Sequence, residues 1–301
     1  MRLDNFDLNL LVAFNVLLEE RNVTRAADRL NVTQSAMSAA LRRLREALQD
    51  EILIQHGKKM IPTPHALDMA PEVASAIIHL RSVISTGTGF DPRTSQRRFK
   101  IAASDYITTV LIVPLMKILG EEAPGIKIDL SLPSTETTER LVDGELDLFL
   151  TPEEFLKEDL PRELLFEERH VVVGWSENPV MQKPLTEESF FESGHVAVMI
   201  SGGETYIERA LRSQGFQRVV EVTAPSFIQV PWLLSGTRRL ALMHERLARL
   251  MAPGLSLTIS EVPLDLPVMR EMMQWHATRS TDAGLLWLRK KILQMAVDRL
   301  P

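Results

Sequence analysis

No cysteine occurs in the chain. A disulfide framework, a thiolate metal site and a cysteine nucleophile are excluded, and a reducing cytoplasm is the expected compartment. Long apolar runs are missing too. The opening stretch MRLDNFDLNLLVAFNVLLEERN is broken by Asn15, Glu19 and Glu20. It is neither a secretory h-region with a small-residue cleavage site nor a span of bilayer length, and no later stretch is longer. No membrane partner is expected. Asn22-Val-Thr24 and Asn31-Val-Thr33 match the glycosylation sequon but carry no message without an export signal. Signatures of catalysis are absent as well, with no HExxH zinc pair, no P-loop and no nucleophile elbow. The seven histidines supply no clear acid–base pair, and Glu153-Glu154 and Glu187-Glu188 read as solvated charges at helix starts. An enzyme is not expected, and neither is a cofactor or a metal. No fixed-period repeat or low-complexity tract appears.

What is present is an ordinary globular composition, 45% hydrophobic and 25% charged over 301 residues. That length suffices for two or three units, each with its own core. The net charge of −6 hides an asymmetry. Between Arg21 and Pro62 stand eight cations (Arg21, Arg25, Arg29, Arg42, Arg43, Arg45, Lys58, Lys59) and four acids (Asp28, Glu46, Asp50, Glu51). A locally basic segment on an acidic chain suits a small DNA-contacting module attached to something larger.

Residues 1–62 read as short helices with tight connections, closed by a ribbon. Leu8, Leu11, Val12, Phe14, Val16 and Leu18 line a first amphipathic helix, with Asp7 placed to cap it. Asn22 or Thr24 caps the segment TRAADRL, whose Ala26, Ala27 and Leu30 share a face suited to close packing. After a bend at Asn31-Val32, Thr33 caps a third helix running to about Leu48. Glu51 to Ile61 gives two apolar pieces around Gly57-Lys58-Lys59, the pattern of a two-stranded wing with a basic tip. Pro62 and Pro64 then punctuate the chain. From Pro64 to about Ser85, Leu67, Ala70, Ala74, Ile77, Leu80 or Arg81, and Ile84 recur at spacings of three and four. This is the seam of a two-helix association rather than a wide core-facing stripe, the alternative being a helix packed on its own domain. Residues 63–86 are therefore read as a dimerisation helix, and 87–98, within STGTGFDPRTSQRR, as a flexible polar linker.

From Phe99 onward strands and helices alternate: FKIAAS, ITTVLIVPLMKILGEE, IKIDLSL, TTERLVDGE, LDLFLT. This βαβαβ order predicts a largely parallel sheet with helices on its faces. A second stretch, Val171 to about Pro267, repeats the alternation with HVAVMI, RVVEVTA and LALM as strands and TYIERALRSQG as a helix. LPVMREMMQWHA and DAGLLWLRKKILQMAVDRL close the chain.

Within LNVTQSAMSAALRRL, Met37, Leu41 and Leu44, joined by Leu48, share one face and hold the helix to its domain. Ser35, Ala39 and Arg42 project from the other side, flanked by Ser38 and Arg43, with Gln34 at the N-terminal tip. A face needing only solvation would carry Lys and Glu. Short side chains let a helix enter the major groove, where Gln, Ser and Thr reach base edges and Arg42 and Arg43 meet phosphates. An Ala-rich helix in a plain bundle is the competing reading. With TRAADRL and the tight bend, Val23 to Arg42 forms a helix-turn-helix.

FDLNLLVAF, ERNVTRAADRLNVTQSAMSAALRRLR and PTPHA resemble the DNA-binding domain of LysR-type transcriptional regulators. FKIAASDY, GELDLFLTPE, LFEERHVVVG, SGHVAV, RRLALMHERLA and MMQWH resemble the effector domain of one branch, the nodulation-protein D regulators with nearby regulators of aromatic-compound catabolism. The resemblance spans nearly the whole chain. It implies an all-α winged helix-turn-helix (1–62) followed by an α/β effector domain (99–301) of two periplasmic-binding-protein-like subdomains. Subdomain I comprises 99–170 and 268–301, subdomain II 171–267, and two crossing strands join them. It also implies a homodimer or homotetramer on promoter double-stranded DNA that activates transcription with RNA polymerase when a small effector binds. DNA contacts fall to Thr24, Thr33, Gln34, Ser35, Ser38, Arg42 and Arg43. Many members carry a wing arginine where Gln55 stands, so Lys58 alone is assigned there.

Carried over by position, the effector site comprises Ser104, Pro133, Ser134, Thr135, His170 at the first crossover, Ser201 to Thr205, Phe227, and His276 at the return crossing. Ser104 and Asp105 precede a helix whose amides a ligand hydroxylate or carboxylate could share. Gly202 and Gly203 allow backbone approach before Thr205. His170 could donate to a phenolate, and Phe227 or Trp275 could offer a ring face, although Trp275 and Trp287 fit a core better. The effector is expected to be a small aromatic molecule and the targets aromatic-catabolism genes. The alternatives are a nodulation-type regulator answering plant flavonoids, or a free-standing small-molecule binding protein.

Overall fold

The computed structural model describes residues 6–56, 59–86, 90–200 and 202–298, arranged in two compact units. In the first, helix α1 (Asn9–Glu20) begins where the Asp7 carboxylate accepts from the Asn9 N–H at 3.0 Å. Helix α2 (Val23–Arg29) is capped by Asn22, which accepts from the Arg25 N–H, and Thr24 lies inside the helix. Asn31 takes φ 55°, a left-handed conformation that asparagine tolerates, and turns the chain into α3 (Gln34–Leu48). Thr33 caps α3 by accepting from the Ala36 N–H at 3.2 Å. Phe14, Leu17, Ala26, Ala27, Met37, Leu41 and Leu44 close the core between the three helices. Strands β1 (Leu53–His56) and β2 (Lys59–Pro62) pair antiparallel as the expected ribbon. Arg45 ties it to α3, donating to the Glu51 and Leu53 carbonyls at 2.8 Å each.

Helix α4 (Pro64–Thr86) is one long element, started by the Thr63 hydroxyl accepting from the Ala66 N–H. Its apolar pattern is used differently from the expected seam. Ala66, Val73 and Ile77, with Met69 and Ala70, pack into the core that holds α1, whereas Leu67 is 52% exposed. A helix resting on a bundle buries a stripe wider than a two-position seam, so part of the repeat is occupied within the chain. The side chains of Arg81 and Ile84 lie outside the described set.

The second unit includes residues read as a flexible linker. Phe90 packs on Trp287 with ring centroids 5.6 Å apart, and the Asp91 carboxylate accepts from the Arg93 N–H. Arg97 forks onto Asp282 at 2.5 and 2.8 Å. A bidentate guanidinium–carboxylate pair fixes geometry as well as charge, so this segment is anchored on the effector unit.

The chain continues through β3 (Arg98–Ala102) and a helical stretch made of α5 (Asp105–Ile107), a π-helical turn (Thr108–Ile112) and α6 (Val113–Glu122). There follow β4 (Lys127–Ser131), α7 (Thr137–Val142), β5 (Leu148–Pro152) and β6 (Arg162–Glu168). Next come β7 (His170–Trp175), α8 (Glu187–Glu192), β8 (Gly194–Ile200), β9 (Gly203–Glu204) and α9 (Tyr206–Ser213). β10 (Val219–Ala224), α10 (Val230–Leu234), β11 (Leu240–His244), α11 (Glu245–Met251) and β12 (Leu257–Ser260) complete the second half. β13 (Met269–Gln274) and α12 (Ala283–Asp298) end the fold.

One sheet has the order β4-β3-β5-β13-β6, the other β10-β8-β11-β7-β12 with β9 on β8. The β3, β4 and β5 strands are parallel, and β13 enters antiparallel between β5 and β6. The chain crosses from the first sheet to the second at Arg169 and returns between Ser260 and Met269. His170 therefore belongs to the second sheet, where it pairs with His244. None of the described helices is long and apolar enough to cross a membrane.

Candidate functional sites: a helix-turn-helix face and a cavity between two sheets

On α3, Gln34, Ser35, Ser38, Arg42 and Arg43 are exposed, while Met37, Leu41 and Leu44 are buried. The expected division of the helix into an anchoring side and a polar side is what the structure shows. Thr24 and Thr33 are exposed too, and the Thr33 hydroxyl lies 3.0 Å from that of Ser35. Ser38 and Arg42 line a groove with Gln55 and Met60 of the ribbon. Arg43 donates to Asp7 at 3.1 Å with half its side chain in solvent. The Asn9 amides and Arg43 hold the Asp7 carboxyl below its ordinary range. An exposed pair of this kind contributes at most about 1 kcal/mol. Lys58 lies outside the described residues.

In the second unit a cavity of about 290 Å³ opens between the two subdomains. The subdomain I wall includes Ser104, Pro133, Ser134, Thr135, Thr151 and Glu271; the subdomain II wall includes His170, Thr205, Tyr206, Phe227 and His244. Nine residues expected at an effector site are therefore brought together: Ser104, Pro133, Ser134, Thr135, His170, Gly203, Glu204, Thr205 and Phe227. Ser104 also caps α5, its hydroxyl accepting from the Ile107 N–H at 3.2 Å.

The other expected residues are placed elsewhere. Asp105 is not on the wall. Its carboxylate accepts from the Ser226 hydroxyl at 2.6 Å and the Ile228 N–H at 3.1 Å, so it ties the subdomains together instead of offering an anion site. Gly202 is off the wall, and Ser201 lies outside the described residues. His276 is not at the return crossing. Met269 stands opposite Glu168 at the crossing end of β13, and Gln274 opposite Arg162 at the other. His276 is thus roughly 20 Å further along the strand, with its Nδ1 2.7 Å from the Thr278 hydroxyl. Trp275 faces the core: its Nε1–H donates to Ser280 and the Arg289 guanidinium covers its ring.

The wall residues that the sequence reading does not reach include Tyr106, Tyr206, His244 and Glu271. Tyr106 stacks on His244 at 3.7 Å, Phe227 meets both edge-on, and His170 lies 4.8 Å from His244. The Tyr106 hydroxyl donates to Glu168, which also accepts from Arg246 at 2.9 Å. Burial lowers the His170 pKa to about 3. His244 is pushed well below its ordinary value by burial and by His170. Glu271 is raised well above the carboxylate range by burial, with Glu168 adding to the shift. Burial, then Glu168, likewise raises Tyr106. On the floor, burial therefore favours the uncharged forms of both imidazoles, of the Tyr106 phenol and of the Glu271 carboxyl. Four atoms there, Thr205 Oγ1, His170 Nδ1, His244 Nδ1 and Glu271 Oε1, are buried with no hydrogen-bond partner among the described residues. No group of three or more side chains suited to a metal ion occurs among the described residues.

A winged helix-turn-helix joined to two α/β lobes around a cavity defines a DNA-binding regulator that carries a ligand-binding module. Residues 8–67 match the profile of the bacterial regulatory helix-turn-helix proteins of the lysR family, and residues 92–296 that of the LysR substrate binding domain. The chain belongs to the LysR family of transcriptional regulators. Nodulation protein D 2 of Rhizobium tropici is 39% identical over 299 residues, covering 98% of this chain and 95% of that protein. Nodulation protein D 1 of Bradyrhizobium japonicum is 38% identical over 298 residues, covering 98% and 93%. A probable transcriptional regulator from Pseudomonas aeruginosa has a similar structure, with TM-score 0.66, 31% identity and coverage of 96% and 97%. A full-length OxyR variant from the same organism reaches TM-score 0.72 at 17% identity, covering 97% and 95%, and shares the fold.

Proposed function

We propose that this protein is a nodulation-protein-D-type activator. It works in the cytoplasm as a homodimer or homotetramer on promoter DNA, binds a small aromatic effector in the cavity and engages RNA polymerase. The relatives described above are nodulation proteins, so the nodulation-type reading carries more support than control of aromatic-catabolism genes. The helix-turn-helix argues against a free-standing binding protein. The observation that carries the DNA half is the exposure of Gln34, Ser35, Ser38 and Arg42 along one side of α3. For the effector half it is the convergence of Phe227, Tyr106 and His244, whose ring edges and faces suit a flat aromatic guest.

Gel retardation of genomic fragments flanking the gene tests the reading. Specific fragments should be retarded, with an affinity that falls steeply as salt rises because phosphate neutralisation releases counterions. Absent or salt-insensitive retardation would overturn it.

A further inference from the structure

Four orphaned polar atoms sit on one wall system, drawn from four elements and both subdomains. His170 Nδ1 comes from β7, His244 Nδ1 from the end of β11, Thr205 Oγ1 from the start of α9 and Glu271 Oε1 from β13. Each belongs to a residue more than nine-tenths buried. Buried polar groups left unpaired are costly, so a ligand whose own groups pair with them is favoured over one that leaves them bare. Resting on the reading of this cavity as the effector site, we infer that it selects an uncharged ligand bearing hydroxyl or carbonyl groups and rejects anionic ligands of the same shape, with Glu271, His170 and His244 as the specificity-determining residues.

The charges around the cavity carry the argument. Arg209 is the one cation among the described lining residues; it is exposed, lies over the Phe155 ring and shares the lining with Glu204. Arg246, behind the floor, is held by Glu168 and the Glu167 carbonyl. Of the acids at the start of α9, Glu204 lines the cavity and pairs with Arg212 at 2.7 Å, and Glu208 pairs with Arg218, so neither leaves a cation there for a ligand anion. A ligand carboxylate on the floor would therefore sit in a low-dielectric site without a counter-ion, near the Glu168 charge. Charging His170 to meet it would have to lift a pKa that burial holds at about 3. A hydroxyl or carbonyl makes no such demand. The unpaired Nδ1 of neutral His170 and of neutral His244 can donate or accept according to tautomer, and the acid form of Glu271, which burial favours, offers a donor.

The test titrates the full chain at pH 7 with 6-hydroxy-2-naphthamide and 6-hydroxy-2-naphthoate, which differ in charge but hardly in shape. Affinity is measured by calorimetry, and occupancy of the cavity by the methyl resonance of Met269, a lining residue, in 13C-methyl-methionine protein. The amide is expected to shift Met269 and to bind roughly tenfold or more tighter than the carboxylate. Glu271→Leu, which removes the hydrogen-bonding carboxyl, is expected to weaken the amide by roughly tenfold. A carboxylate that shifts Met269 and binds as tightly as the amide overturns the charge selection and leaves the cavity as effector site. Amide binding within about threefold of the unsubstituted protein in Glu271→Leu removes Glu271 from the ligand's contacts and overturns its role in selection. If neither compound shifts Met269, the effector reading of the cavity falls and this inference with it.

Discussion

On α3, Arg42 and Arg43 stand in solvent beside short polar side chains, and Asp7, the acid that pairs with Arg43, is itself partly exposed. In the cavity of the second unit the order is reversed. Arg246 is turned onto a fully buried Glu168, and burial favours the neutral forms of the imidazoles and of the Glu271 carboxyl. A polyanion is met by mobile, hydrated cations whose counterions are easily exchanged. A small guest entering a closed space is met by groups that demand hydrogen bonds and offer no net charge. The same residue types thus serve two purposes, and burial decides which.

The largest effect should come from removing the buried counter-ion. Arg246→Met leaves Glu168 and the Tyr106 hydroxyl without their cation, and chemical denaturation should show a loss of about 3–5 kcal/mol. A loss below about 1 kcal/mol would mean that this pair behaves like an exposed one, erasing the contrast.

Next is the DNA face. Ser38→Arg puts a long side chain where a short one faces the groove, and specific operator affinity should drop by at least about tenfold, on the scale of a mismatched base pair. Unchanged thermal stability and self-association should accompany it. A variant that still protects the same promoter bases would remove α3 from the DNA.

Acid sensitivity sharpens the cavity side. His170 stays neutral in the folded protein down to about pH 3 but takes a proton near 6.5 when unfolded. Across that window the unfolded state binds more protons, so stability falls as pH drops, by up to about 1.4 kcal/mol per unit. His170→Asn should flatten the stability profile between pH 6 and 4 by about that slope, as read by urea melts. Parallel profiles for the two proteins would contradict the burial argument.

The smallest effect is expected at Arg42. Arg42→Ala should weaken binding to all sequences alike and reduce the slope of log affinity against log salt by about one. A sequence-selective loss would instead make Arg42 a base reader.

The first unit was legible because its signals are local. Met37, Leu41 and Leu44 declare one helix face within eight residues, and Thr33 and Asn31 mark its start and the turn before it. The cavity was half-legible, since strand ends can be located in sequence but strand directions cannot. His276 was misplaced because nothing local says that β13 runs away from the crossing after Met269. Asp105 looked free because its partners Ser226 and Ile228 lie over 120 residues away. Two signals were present. Glu271 shares strand parity with Met269 and Met273, a charged group in line with apolar ones, and the chain's two tyrosines both line the cavity. The linker failed for a related reason, as Arg97 finds Asp282 only once the last helix has docked.

The salt dependence of both affinities, taken on one preparation of the full chain, tests the central contrast most directly. Between 50 and 200 mM salt, operator binding should fall by orders of magnitude, roughly 10³ or more if six or more phosphates are neutralised. Binding of 6-hydroxy-2-naphthamide should stay within about twofold, since an uncharged guest displaces no counterions. Operator affinity that ignores salt, or amide affinity that tracks it, would contradict the assignment of charge to α3 and neutrality to the cavity.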